Sequence, residues 1–315
     1  MKVVITGGAG FIGANLCRTL AEQHDVVVLD DLSTGSVANL AGVEVDLRVG
    51  SVLEADHVRR VCVGADAIVH LAAVPSVPRS LENPRRSHDV NVTGTVAVLD
   101  AAREVGAHLV VASSSSVYGS NRTLPKTEDL VCRPTSPYGV SKLAAESYAI
   151  AYQSSFGLET VAFRFFNVFG PLQAPGHAYA AVVPAFASAA LRGDPLTIYG
   201  DGRQTRDFTF VDTVVGVLAR AVTRRTVSPT PVNLAYGTRT SLNDLVALLS
   251  DAVGRRLDVS YRPPRPGDIR DSQASPAALR ALYPDVRPVP LRTGLLRTLS
   301  WLETQAITAH QEVPA

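Results

Sequence analysis

Val3-Val4-Ile5-Thr6-Gly7-Gly8-Ala9-Gly10-Phe11-Ile12-Gly13 opens the chain with a β-branched apolar run, a cluster of glycines and the start of an apolar helix. A strand feeding a glycine turn and then a helix is the first unit of an α/β sheet. Gly7 allows the tight turn, Gly10 lets the backbone approach a pyrophosphate, and Gly13 lets the helix pack closely on the strand. The helix N-terminus then offers its unpaired N–H groups to the anion. Asp30 ends the next apolar run, Val26-Val27-Val28-Leu29, where an acid accepts hydrogen bonds from the ribose hydroxyls of an adenine dinucleotide. Asp31 shares that role. The following Leu32-Ser33-Thr34-Gly35 brings no Arg or Lys to a 2′-phosphate, so the loop favours NAD over NADP. A glycine turn of some other α/β protein is the competing reading. The strand before it, the helix after it and the acid beyond argue against that.

Outward from this loop, short β-branched runs alternate with longer amphipathic stretches. Strands are expected at Val3–Thr6, Val26–Leu29, Ala67–Leu71, Leu109–Ser113 and Val161–Arg164, and helices at Ile12–Glu22, Ala55–Val61, Asn91–Glu104 and Ser141–Phe156. The pattern predicts a Rossmann-like, doubly wound parallel sheet over residues 1–170. After Gly170 the chain is punctuated by Pro and Gly, with short helices expected at Ala185–Leu191, Val211–Val222, Ser241–Val253 and Leu291–Glu303. Residues 171–315 thus read as a smaller C-terminal α/β lobe that holds substrate, with some crossing of the chain between lobes. Thr308–Ala315 reads as a frayed tail.

Composition narrows the partners. The 315 residues carry 30 basic and 29 acidic side chains, a net charge of +1, without a like-charge block that would track a nucleic acid. Cys17, Cys62 and Cys132 form no even framework and no C-x-x-C pair, which argues against disulfides or zinc and for a reducing compartment. Met1–Ala14 has too many glycines for a signal helix. The long uncharged stretch between Arg164 and Arg192 holds Pro171, Pro175 and Pro184, a poor bilayer span. No metal, no nucleic acid, no membrane and a cytoplasmic location are expected.

Three lysines occur in the chain, and Lys142 stands four residues after Tyr138 in Pro137-Tyr138-Gly139-Val140-Ser141-Lys142. On a helix starting near Gly139 the two side chains share a face. An ammonium beside a phenol lowers the phenol's pKa from about 10, as a base that removes a hydroxyl proton requires. Upstream, the strand Leu109–Ala112 ends in Ser113-Ser114-Ser115-Ser116-Val117-Tyr118-Gly119, and ligands of parallel sheets bind beyond the carboxyl ends of the strands. No histidine is patterned to make these serines nucleophiles.

Together these motifs resemble those of extended short-chain dehydrogenase/reductases, in the family of NAD-dependent sugar-nucleotide epimerases and dehydratases. Also shared are His70-Leu71-Ala72-Ala73, Asn91-Val92-Thr93-Gly94-Thr95, Arg164-Phe165-Phe166-Asn167-Val168-Phe169-Gly170-Pro171, Gly200-Asp201-Gly202-Arg203-Gln204-Thr205-Arg206-Asp207-Phe208 and Arg265-Pro266-Gly267-Asp268. The resemblance implies Tyr138 as catalytic base and acid, Lys142 as its partner on the nicotinamide ribose, and Ser114 as donor to the reacting sugar oxygen. It implies NAD contacts from Gly7, Gly10, Phe11, Ile12, Gly13, Asp30, Asp31, Leu32, Ser33, Thr34, Gly35, Ser51, Val52, Leu71, Ala72, Ala73, Asn91, Phe165 and Val168. Gly50-Ser51-Val52 departs from the usual Gly-Asp beside adenine. For a UDP-sugar it implies a diphosphate clamp from Arg206 and Arg265, Asn167 and Gln204 on the substrate, Thr197, Ile198 and Tyr199 beside uracil, Val182 and Val183 against the nucleotide, and Asp268 at the uridine ribose. His177 and Tyr179 fall in a loop without an assigned direction.

Within the family, dehydratases resemble this site but carry Asp-Glu before Val-Tyr-Gly, and decarboxylases keep a Glu. Here Ser115 and Ser116 stand there, and a hydroxyl is neither a useful acid nor base at neutral pH. The resemblance therefore implies a UDP-hexose 4-epimerase that oxidises the sugar to a 4-keto intermediate and reduces it again. Ser272, with Ser76-Val77-Pro78-Arg79-Ser80, is similar to the enzymes that accept UDP-N-acetylglucosamine as well as UDP-glucose. Three readings stay open beside it: a UDP-glucuronate 4-epimerase, with Ser115 and Ser116 on the carboxylate; an NDP-sugar dehydratase or reductase; and a dinucleotide-sensing regulator on the same fold. Asn91–Glu104 and Ser141–Phe156 resemble the family's homodimer bundle.

Overall fold

A computed structural model describes residues 1–175, 181–264 and 269–311, with side chains as far as Gln305. Six strands, β1 (Lys2–Thr6), β2 (Asp25–Asp30), β3 (Asp46–Val49), β4 (Ala67–His70), β5 (His108–Ser114) and β6 (Thr160–Phe165), come from the first half. Four short strands, β7 (Asn167–Phe169), β8 (Leu196–Tyr199), β9 (Thr205–Arg206) and β10 (Phe208–Phe210), precede β11 (Val232–Leu234); β12 (Thr240–Ser241) and β13 (Val259–Arg262) follow. The helices are α1 (Phe11–Leu20), α2 (Ala55–Cys62), α3 (Val77–Glu82), α4 (Pro84–His88), α5 (Gly94–Val105), α6 (Pro137–Phe156), α7 (Val182–Arg192), α8 (Val211–Thr223), α9 (Leu242–Val253), α10 (Ala277–Leu282) and α11 (Leu291–Gln311).

The central sheet has seven parallel strands in the order β11-β6-β5-β4-β1-β2-β3. Apart from the exposed edge strand β3, its strands are apolar on both faces, so alternate residues feed two cores. Val3, Ile5, Val26, Val28, Val110 and Phe163 join the core under α1 and α8, while Val4, Val27, Leu29, Ile68, Leu109 and Ala162 join the one under α2, α5 and α6. Chain order reverses between β1 and β4, which opens a crevice at their carboxyl ends, beside Gly7 and Leu71. The C-terminal half adds parallel pairs β7–β10 and β8–β13, the antiparallel pair β9–β12, and α7, α9 and α11 packed together. It also returns β11 to the main sheet beside β6.

Three local expectations change. The helix expected from Asn91 begins as a π turn over Asp89–Thr93 and becomes α5 only at Gly94. The helix expected from Ser141 starts at Pro137, because the Ser136 hydroxyl accepts from Gly139 N at 3.1 Å and Pro137 suits the first turn. The expected tail is helical to Gln311, and residues 312–315 lie outside the described residues. No helix among the described residues is long and apolar enough to cross a membrane.

Candidate active site

The glycine loop is built by close approach. Gly7 has φ +72°, and a Cβ on it would come within 2.7 Å of Ala72 N; one on Gly13 would reach 2.2 Å from the Gly7 carbonyl. Strand β1, the β4 loop and α1 pack this tightly only with glycine at both positions. Asp30 ties the loop to β2: one carboxylate oxygen accepts from Ala9 N at 2.9 Å and the other from Leu32 N at 2.8 Å. Burial pushes its pKa up, against those two N–H donors. Asp31 accepts from Ser33 N and from the Ser33 hydroxyl.

Beyond the loop lies a cleft of about 1070 Å³. Of the residues expected on NAD, Gly7, Gly10, Phe11, Ile12, Gly13, Asp30, Asp31, Ser33, Thr34, Val52, Leu71, Ala72, Ala73, Lys142, Phe165 and Val168 line it. Tyr138, Ser114, Ser76 and Arg79 line it as well. The N-terminus of α1, without an acid in its first turn, suits a pyrophosphate. Cradle, ribose-side acid and volume of the cleft fit NAD.

Other expected contacts are committed elsewhere. Asn91 is buried, accepts from Val74 N at 2.7 Å and donates to the Ser141 hydroxyl at 3.0 Å; it ties the cleft wall to α6 instead of lining it. Ser51 spends its hydroxyl on Leu53 N and its N–H on Glu54, leaving Gly50 and Val52 at the wall. Leu32 lies off the wall with φ +57°, and Gly35 packs on the glycine loop, where a Cβ would meet the Ala9 backbone at 2.8 Å. Ser115 and Ser116 form a 3-10 turn outside the lining.

On α6, Tyr138 and Lys142 sit one turn apart and face Ser114 at the end of β5. The Lys142 ammonium donates to the Ala112 carbonyl at 2.9 Å, and burial pulls its pKa down to about 8. Burial pushes Tyr138 up, with a hydrogen bond to Ser114 pulling down. Desolvation of the phenolate is the largest influence on Tyr138, while the Lys142 amine is engaged by the β5 carbonyl. Behind this pair runs a buried network that the motifs did not reveal. Arg164 grips Glu146 of α6 at 2.7 and 3.1 Å and donates to the Tyr118 hydroxyl at 2.9 Å; Ser113 donates to Glu146 at 2.6 Å.

A second cavity of about 640 Å³ adjoins the cleft, with Val168, Pro175, Ala181 and Arg192 common to both. Asn167, Val182, Val183, Thr197, Tyr199, Gln204 and Arg206 line it, as expected for one ligand site, whereas Ile198 is turned into the core. Asp207 organises this wall by accepting from Gly237 N, Thr238 N, the Thr238 hydroxyl and Ala274 N. Ser272 lies off the lining, its N–H bonded to the Thr205 carbonyl. Arg265, Asp268, His177 and Tyr179 fall outside the described residues. Arg86 and Trp301 also line the cleft; their chain positions, far from the glycine loop, gave no signal of it.

Residues 3–235 match the NAD dependent epimerase/dehydratase family, and the chain belongs to it. It is 38% identical to the UDP-glucose 4-epimerase of Mycolicibacterium smegmatis over 315 residues, covering 97% of this chain and 100% of that one. Among solved structures it resembles UDP-N-acetylglucosamine 4-epimerase from Methanobrevibacter ruminantium in complex with UDP-N-acetylmuramic acid, at 34% identity and TM-score 0.92 over 96% of this chain and 98% of that chain. It likewise resembles UDP-glucose 4-epimerase from Thermotoga maritima with UDP-glucose, at 32% identity and TM-score 0.90 over 97% and 100%.

Proposed function

We propose that the protein is a UDP-hexose 4-epimerase that interconverts UDP-glucose with UDP-galactose and their N-acetylated counterparts. The observation that carries this reading is the set Tyr138, Lys142 and Ser114 on one cleft, with Ser115 and Ser116 where elimination needs carboxylates. NAD would be held by the glycine loop, Asp30 and the Leu71–Ala73 wall. When bound it would supply the hydride acceptor and donor for oxidation and re-reduction at the sugar C4, and a positive ring that favours the phenolate. Tyr138 takes the C4 hydroxyl proton and gives it back, Ser114 holds the sugar oxygen, and Lys142 orients the cofactor ribose. The intermediate is a 4-keto sugar. The second cavity takes the nucleotide, with Arg206 on the diphosphate. Three free cysteines accord with a reducing, cytoplasmic setting.

Protein as purified, without added NAD, is mixed in turn with UDP-glucose, UDP-N-acetylglucosamine and UDP-glucuronate, and the products are resolved. Epimers of the first two are expected. Conversion of UDP-glucuronate alone would overturn the substrate assignment, and a stable 4-keto product would overturn epimerisation. A homodimer through α5 and α6 is part of the reading, since α6 exposes Val140, Tyr148 and Phe156; light scattering tests it.

A further inference from the structure

His70 closes β4 as a buried ring after Ala67-Ile68-Val69, and both of its nitrogens are engaged. Nδ1 lies 2.7 Å from the Thr6 hydroxyl at the end of β1, and Nε2 lies 3.0 Å from the Thr95 hydroxyl of α5. The neighbours fix where the protons are. Thr95 Oγ1 stands 2.6 Å from the Asn91 carbonyl oxygen, an approach that needs the hydroxyl proton between them. Thr95 has no second proton, so toward the ring it accepts, and His70 Nε2 is the donor. Nδ1 is then bare and accepts from Thr6, whose own oxygen accepts from Ala72 N at 3.3 Å. The Asn91 amide carries the chain onward by donating to the Ser141 hydroxyl, which donates to the Tyr138 carbonyl at 2.8 Å. Every donor points the same way, from Ala72 to Tyr138. Thr6, His70, Thr95 and Asn91 are buried and none lines the cleft, whereas Ala72 and Tyr138, at the two ends, do. Burial, with the Lys142 charge nearby, pulls the His70 pKa down to about 3, so the ring stays neutral at ordinary pH. A chain that begins on a backbone N–H and ends on a backbone carbonyl delivers no proton to the site; it holds a distance.

We propose that His70, with its proton on Nε2, is a positioning residue for the hydride step: the chain it centres sets the separation between the Leu71–Ala73 wall of the cofactor cleft and the helix that carries Tyr138. The inference rests on the epimerase reading of the cleft. Misplacement of reacting groups by about 1 Å can cost about 100-fold in rate, so such a chain acts on turnover and not on binding.

The test has two arms. In the first, holoenzyme labelled with nitrogen-15 in histidine is studied by NMR without sugar nucleotide, and the His70 ring is assigned by its contact with the Thr95 methyl. Nε2 should be protonated and Nδ1 bare, unchanged between about pH 5 and 8. A proton on Nδ1, or titration in that range, would overturn the proposal. In the second arm, Thr95→Val keeps the shape of the side chain and removes its hydroxyl, while Thr95→Ser keeps the hydroxyl. Thr95→Val should retain NAD and the wild-type KM for UDP-glucose while kcat falls roughly 10- to 100-fold; Thr95→Ser should stay within about threefold of wild type. A Thr95→Val protein that melts lower but turns over as wild type does would make the chain a stability device and overturn the proposal, as would loss of NAD or a raised KM at unchanged kcat. The first arm still decides if Thr95→Val does not fold. Wild-type protein that left UDP-glucose unchanged would instead overturn the epimerase reading, and with it the step this chain serves, whatever the position of the His70 proton.

Discussion

Replacing Lys142 by Met separates what the buried ammonium costs from what it does. Lys142 is 6% exposed, and burial takes its pKa from 10.5 to about 8. At 1.36 kcal/mol per pH unit, that gap is a penalty of about 3 kcal/mol on the folded state at pH 7. The unfolded chain binds the extra proton between the two values. Wild-type stability therefore rises with pH from about 8 toward 10.5, and below 8 the penalty is present in full. Lys142→Met removes the penalty but strips the Ala112 carbonyl of its donor, which costs about 1–3 kcal/mol. The two nearly offset, so at pH 7 the variant should be as stable as wild type or up to about 2 kcal/mol more stable. Raising the pH from 8 to 9.5 should shift the comparison by about 2 kcal/mol in favour of wild type. Urea unfolding of both proteins, freed of nucleotide, at the two pH values measures this, and other alkaline titrations cancel in the difference. Turnover should fall at least about 100-fold in the same variant. A variant that loses several kcal/mol equally at both pH values would refute the burial argument and make Lys142 a structural anchor.

Arg164→Met leaves Glu146 as a buried carboxylate without its partner, so a loss of about 3–5 kcal/mol is expected in thermal or chemical unfolding. Adding Glu146→Leu should recover most of that loss, because neither charge then remains. Gly13→Ala drives a methyl into the Gly7 carbonyl, and should cost about 3 kcal/mol and abolish NAD retention, as nucleotide released on denaturation reports. Trp301, the one tryptophan, lines the cleft, so excitation of the indole should show quenching by bound NAD and energy transfer to NADH. Tyr138→Phe should keep its nucleotide and lose turnover, a pairing that distinguishes a catalyst from a dinucleotide sensor.

The sheet was legible where burial forces a pattern. β1, β2, β4 and β5 are apolar on both faces and stood out as runs. The edge strand β3 did not, since Asp46, Arg48 and Val49 are exposed and carry no period. The three-residue β11 is too short to show periodicity, and only its pairing with β6 gives it meaning. At the site, glycines and the Tyr138–Lys142 spacing were readable because chemistry fixes them locally. Asn91 and Ser51 give polar atoms to the backbone, and sequence does not say in advance whether an amide or hydroxyl will serve backbone or ligand. Arg164 is a charge within the mostly apolar β6, paired across the fold with Glu146 of α6. Spacing put Lys142 beside Tyr138 but gave no sign that its amine reaches the Ala112 carbonyl.

The most direct measurement follows the hydrogen on C4. UDP-glucose deuterated at C4 is turned over in ordinary water without added NAD, and unlabelled substrate is turned over in deuterium oxide. Hydride borrowed and returned within one site requires the UDP-galactose formed to keep its deuterium in the first case and to gain none on carbon in the second. Washout of the label, or uptake of solvent deuterium at C4 or C5, would contradict that chemistry.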